Sequence, residues 1–118
     1  MKESDIRPQE LHDEYIRLCN IDAETFFPIN REREDINCPA CNCQIKKKAF
    51  EKQNFGLEIC NDCESMFVSP RPPASDFFNF YKDSPSSTYW AEVFFPSVMD
   101  ARRENMFKPK AEEITEIF

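Results

Sequence analysis

A chain of 118 residues is long enough for one domain and one modest core. Its net charge of −7, from 15 basic and 22 acidic residues, disfavours a basic clamp for nucleic acid. A hydrophobic content of 41% argues against wholesale disorder. Six cysteines fall below the density of a disulfide-stapled secreted scaffold.

The first segment, residues 1–37, carries a net charge of −5. It has neither the apolar run of a signal peptide nor the ~20 uncharged residues of a membrane span, so a reducing cytoplasm is the expected compartment. A helix is predicted to open near Pro8, where the missing N–H costs nothing. Leu11, Tyr15, Leu18 and Cys19 recur on one apolar face. Cys19 is expected there as a small buried side chain. Ala23, Phe26 and Phe27 prolong the helix, and Pro28 ends it. His12, the only histidine, has no constellation for acid–base or nucleophilic work and is expected at the surface.

The middle segment reads as short strands through Ile45, Ala49–Phe50, Phe55–Ile59 and Met66–Val68. Gly56, the single glycine where average usage gives about eight, is expected to serve a hairpin that needs a permissive backbone. The same scarcity excludes glycine-rich phosphate and dinucleotide loops from this chain. Ser69-Pro70-Arg71-Pro72-Pro73 stops any strand. Beyond it, Ser75 is the expected N-cap of a helix holding Phe77, Phe78, Phe80 and Tyr81. Ser84–Ser87 reads as a turn, and Tyr89–Phe95 as a short helix closed by Pro96. Ser97-Val98-Met99-Asp100 has capping-box spacing, and Lys108-Pro109 precedes a final helix.

The strongest signal is Cys38-Pro39-Ala40-Cys41, then eighteen residues, then Cys60-Asn61-Asp62-Cys63. A CxxC turn points both sulfurs at one ion, and two such knuckles complete a tetrahedron. All-sulfur ligation favours Zn²⁺, with iron the main competitor. Two disulfides would need an oxidising compartment, and a redox CxxC would need a βαβ context. Four thiolates leave no open position for water, so the expected zinc is structural. Cys43 would overfill the tetrahedron and reads as a bystander. Lys46-Lys47-Lys48 is the one basic run; with zinc bound the surrounding segment, residues 38–72, becomes net negative, so a solvated strand is expected rather than phosphate contact.

The fold class expected is thus small α+β. Zinc-ribbon hairpins (36–72) are flanked by an N-terminal helical segment (1–35) and several short C-terminal helices (73–118). The order Cys60-x-x-Cys63, Met66-Phe67-Val68-Ser69-Pro70-Arg71-Pro72-Pro73, Phe80-Tyr81, Tyr89-Trp90 and Ala101-Arg102-Arg103 resembles a known family region. That region is the N-terminal part of class I S-adenosylmethionine-dependent methyltransferases with a zinc ribbon ahead of the catalytic domain. Tyr15-Ile16-Arg17-Leu18, Asp22 and Phe26-Phe27-Pro28 resemble that family's opening helix.

The resemblance implies a structural zinc region, and a methyl donor, S-adenosylmethionine, bound only by a later catalytic domain in the full-length enzyme. This chain alone is expected to carry no catalytic residue. Ile114–Phe118 has no glycine C-cap and places Glu116 at the negative end of the helix dipole. A larger enzyme is therefore expected to continue from it. A free-standing zinc-ribbon adaptor for protein partners stays open as the alternative.

Eight of the sixteen aromatics fall within residues 77–95. A small core cannot easily hide them all. Phe77, Phe78, Tyr81, Tyr89, Trp90, Phe94 and Phe95 are therefore candidates for docking the catalytic domain or walling its substrate pocket. The exposed surplus would let the chain self-associate. Neither a nucleic-acid nor a membrane partner is expected.

Overall fold

The computed structural model describes Met1–Phe118 throughout and is a small α+β structure. Two compact units form: Cys19–Ser84, and Met1–Leu18 together with Pro85–Phe118. Helices α1 (Glu3–Ile6) and α2 (Gln9–Phe26) open the chain. Pro8 sets the start of α2, its carbonyl accepting the His12 N–H at 2.9 Å. The helix stops two residues before Pro28.

The Cys19–Ser84 unit holds a three-stranded antiparallel sheet of β1 (Lys46–Lys52), β2 (Phe55–Cys60) and β3 (Met66–Val68), in that spatial order. Lys46 stands opposite Cys60, and Lys52 opposite Phe55, with an irregularity between Lys48 and Phe50. The β1–β2 connection is the two residues Gln53-Asn54, with φ of 51° and 67°. Two left-handed residues in a two-residue hairpin match the right-handed strand twist.

Gly56 therefore plays a different part from the one its sequence position suggests. Its φ is not left-handed. Instead a Cβ there would stand 2.8 Å from the Ser69 carbonyl oxygen, so glycine is required by the close approach of the segment after β3.

In the same unit, Phe27 is the hub of an aromatic core. Its ring lies 4.8 Å from Phe55, 5.0 Å from Phe77 and 5.4 Å from Phe80, within the range where tilted rings attract. Helix α3 (Ala74–Asp83) delivers Phe77 and Phe80. It begins two residues earlier than Ser75 capping requires: the Pro73 carbonyl accepts the Asp76 N–H at 3.0 Å, and Ser75 lies inside the first turn.

In the other unit the chain is helical from Pro85 to Ile117. Ser84–Ser87 is not a free turn, because Pro85 opens helix α4 (Pro85–Tyr89), where its fixed φ is preorganised. Pro96 and Pro109 do not end helices either. A π-helical turn, Trp90–Phe94, precedes α5 (Phe95–Arg102), and a second, Arg103–Phe107, precedes α6 (Lys108–Ile117). The Phe95 N–H reaches back to the Trp90 carbonyl, and the Lys108 N–H to the Arg103 carbonyl. Each wide turn opens the ladder just before a proline, where an ordinary turn would clash with the ring. Ser97 consequently caps nothing; its hydroxyl donates back to the Val93 carbonyl at 2.6 Å.

Phe94 and Val98 are the buried centre of this unit. Trp90 stacks on Phe94 at 4.7 Å, and Tyr15 meets both rings at 5.5 and 6.0 Å. The Arg102 guanidinium lies 5.3 Å above Trp90 and donates to the Ile6 carbonyl at 3.1 Å. No helix is long and apolar enough to cross a membrane.

Candidate metal centre

The two CxxC segments fold into knuckles with the same backbone plan. In the first, the Cys38 N–H donates to the Cys43 carbonyl at 3.0 Å, and the Asn42 N–H to the Cys38 carbonyl at 2.8 Å. In the second, the Cys60 N–H donates to the Ser65 carbonyl at 2.9 Å, and the Glu64 N–H to the Cys60 carbonyl at 3.1 Å. Both turns close through a left-handed residue directly after the second cysteine, Asn42 at φ 64° and Glu64 at φ 62°. Asparagine tolerates that conformation; glutamate holds it at a cost. The Asn61 N–H donates to the Ile45 carbonyl at 2.9 Å and ties the second knuckle to the approach to β1.

These turns bring Cys38, Cys41, Cys60 and Cys63 together, with all four Sγ atoms within 4.8 Å of one another. Cys38 and Cys63 are 3.5 Å apart, as are Cys41 and Cys60. A tetrahedron with Zn–S bonds of about 2.3 Å has sulfur–sulfur edges of about 3.8 Å, so the set fits one such ion. It does not fit disulfides, which need about 2.05 Å; all six cysteines are free thiols.

Cys38 and Cys60 are buried against Phe67, with Ile36 and Cys43 packed beside them, whereas Cys41 and Cys63 are exposed. Cys43 stands outside the tetrad, its Sγ 3.6 Å from the Ile45 carbonyl. Cys19 lies half-buried on α2 rather than fully enclosed, and His12 is half-buried too.

The electrostatics of the tetrad favour a cation. The Ser65 hydroxyl and N–H bring the Cys63 thiol down to about 6, and the Cys63 and Asp62 N–H groups lower Cys60. The Cys43 N–H also favours a Cys41 thiolate, but the neighbouring sulfurs of Cys60, Cys63 and Cys38 outweigh it and push Cys41 up to about 12. Four adjacent sulfurs do not all ionise without a positive charge among them.

Lys46, first of the basic run, is drawn inward. Its Nζ pairs with Asp35 at 2.8 Å and Glu58 at 3.6 Å, donates to the Ile36 carbonyl, and lies 5.9 Å from the Phe67 ring centroid. Asp35 is lowered and Lys46 raised by their shared hydrogen bond. Lys47 and Lys48 stay at the surface.

Sequence reasoning missed three of the site's supports: the left-handed Asn42 and Glu64, the Ser65 hydroxyl 3.2 Å from Cys63 Sγ, and the Lys46–Asp35 clamp. The first had a signal in the repeated position one residue past each CxxC.

Of the aromatic candidates, the structure places Phe94 in the interior, with 1% of its surface exposed. Phe77, Tyr89, Trp90 and Phe95 are half-buried, and only Phe78 and Tyr81, at 67% and 75%, stand clear of the surface. No family model, curated protein or solved structure matches the chain.

Proposed function

We propose that the chain is a structural zinc-binding domain. In this reading Cys38, Cys41, Cys60 and Cys63 hold one Zn²⁺ that fixes the sheet and the two knuckles. The observation that carries the reading is the tetrad of sulfurs at tetrahedral spacing. Four thiolates saturate the ion and leave no position for water or substrate, so its contribution is folding energy rather than chemistry. Reduced thiolate ligands suit a reducing compartment such as the cytoplasm.

The domain belongs, in this proposal, to an S-adenosylmethionine-dependent methyltransferase, ahead of the catalytic domain that binds the donor. The support is the order of motifs from Cys60 to Arg103 in the sequence. Phe78 and Tyr81 on α3 are the apolar surface offered to that domain.

Metal analysis of the reduced chain, dialysed against a weak chelator, should return close to one equivalent of zinc. Cys38→Ser should lose it; Cys19→Ser and Cys43→Ser should keep it. A reduced chain that retains no metal refutes the zinc site. The coding sequence beyond Phe118 tests the methyltransferase assignment: a glycine-rich turn after the next strand supports it, and a stop codon refutes it in favour of a protein-interaction adaptor.

A further inference from the structure

We propose that the tetrad is also a hydroperoxide-reactive modification site, with Cys41 and Cys63 as the attacked sulfurs and Cys60 and Cys38 as their resolving partners. This rests on the zinc-site reading above and adds a regulation to it.

Two independent features point there. Sulfurs of opposite knuckles stand in direct contact: Cys38 with Cys63 and Cys41 with Cys60, both at 3.5 Å. Each of these pairs joins one exposed sulfur to one buried sulfur. An oxidant arriving from solvent meets Cys41 or Cys63, and a buried sulfur of the opposite knuckle lies 3.5 Å from the one it meets. That is the arrangement of a peroxidatic thiol and its resolving thiol.

The chemistry balances with a hydroperoxide as oxidant. The exposed thiolate attacks one peroxide oxygen; the O–O bond breaks, and the alcohol or water leaves with its electron pair and takes a proton. The sulfenic acid so formed is attacked by the buried thiolate 3.5 Å away. The new S–S bond displaces hydroxide, which leaves as water. In sum, two thiols are oxidised by two electrons and one hydroperoxide is reduced to an alcohol and water.

A metal ion that loses two of its four thiolates has no comparable hold on the chain. A cross-knuckle disulfide nevertheless keeps the two turns side by side. Reduction by a dithiol then regenerates four sulfurs already near their binding positions. Disulfides inside each CxxC would leave the knuckles unlinked.

The test uses the full 118-residue chain carrying Cys19→Ser and Cys43→Ser, which removes both bystander thiols. The zinc content is measured first. Hydrogen peroxide is then added with a chromogenic zinc chelator present, and the products are digested with trypsin. Lys46, Lys47, Lys48 and Lys52 lie between the knuckles, so a cross-knuckle disulfide joins two peptides, whereas knuckle-internal bonds leave them separate. The expected result is loss of close to one equivalent of zinc together with peptides joined through Cys38–Cys63 or Cys41–Cys60. A dithiol should restore zinc binding. A chain that binds no zinc before peroxide refutes the zinc site and this proposal with it. Zinc retained under excess peroxide, or released with knuckle-internal disulfides only, refutes this proposal alone.

Discussion

Adding one methyl group at Gly56 should cost the Cys19–Ser84 unit about 2 kcal/mol. The Cβ of Gly56→Ala would stand 2.8 Å from the Ser69 carbonyl oxygen and 3.8 Å from Pro70 Cδ. Ordinary contacts of this kind begin at 3.4 Å, so Ser69 must retreat by about half an ångström. It is poorly placed to do so. Ser69 is 1% exposed, donates its N–H to the Gly56 carbonyl at 3.0 Å, and hydrogen-bonds Asp35 and the Ile36 N–H through its hydroxyl. Overpacking of a fixed backbone costs about 1–3 kcal/mol, and weakening the Gly56–Ser69 hydrogen bond adds about 0.5–1.5 kcal/mol. Against this, alanine recovers about 0.5–1 kcal/mol of the backbone entropy that glycine loses in a strand. The balance is destabilising. Urea unfolding of both proteins under the same excess of zinc measures it, because a fixed ligand concentration removes mass action from the comparison. The exposed strand substitution Lys47→Ala, expected within about 0.5 kcal/mol of the parent, controls for general effects on β1. A Gly56→Ala protein as stable as its parent would show that the segment after β3 yields freely, and the close-approach argument would fall.

Glu64→Gly should act in the opposite sense and raise stability by about 1 kcal/mol, because glycine takes a φ of 62° without the Cβ penalty; a lower unfolding midpoint refutes it. Phe94→Ala removes the most enclosed ring of its unit and should cost about 3–5 kcal/mol, with a change under 1 kcal/mol showing that the ring is not central. Glu14 on α2 is held below its ordinary value by hydrogen bonds from Arg17 at 2.7 and 2.9 Å. Its folded pKa is the lower one, so the pair's contribution is full above the ordinary glutamate range and lost as pH falls through the depressed value. In an NMR titration Arg17→Ala should move the Glu14 midpoint upward, and an unmoved midpoint refutes the pairing.

The cysteine tetrad was legible because ligand spacing is local: two short turns carry the geometry wherever the rest of the chain goes. The strands were legible because Leu57, Ile59 and the Met66–Val68 run keep their apolar pattern in the sheet. The helix ends at Pro96 and Pro109 were not. Proline reads as a stop because the ordinary ladder cannot take its ring, and the widened turns ahead of it, Trp90–Phe94 and Arg103–Phe107, carry no local sequence signal. Gly56 misled in the same way. Its neighbour across the close approach, Ser69, is thirteen positions away, and no local pattern announces such a contact. The positive φ of Gln53 and Asn54 carried the hairpin instead, although only asparagine advertises that preference in sequence.

The distribution of apolar surface shows what a metal would supply at the knuckles. At one end of the Cys19–Ser84 unit, Phe27, Phe55, Phe77 and Phe80 make a core from their own rings. At the other end the buried cluster is Cys38, Cys60 and Phe67, with Ile36 and Cys43 only partly covered. Two of its three buried members are sulfurs of the tetrad, so little apolar area remains to hold that end by burial alone. The most exposed of the nearby charge pairs adds little. The Lys46 clamp to Asp35 involves a partner whose side chain is 75% exposed, and such pairs contribute about 1 kcal/mol or less. The knuckles also carry two left-handed residues that each raise the energy of the fold. A cation bound by four thiolates would reverse this balance, since zinc affinities of such sites convert into on the order of 10 kcal/mol of folding energy. In the proposed domain the ion thus replaces the missing core, and the same sulfurs that stabilise it are the groups through which oxidation would undo it.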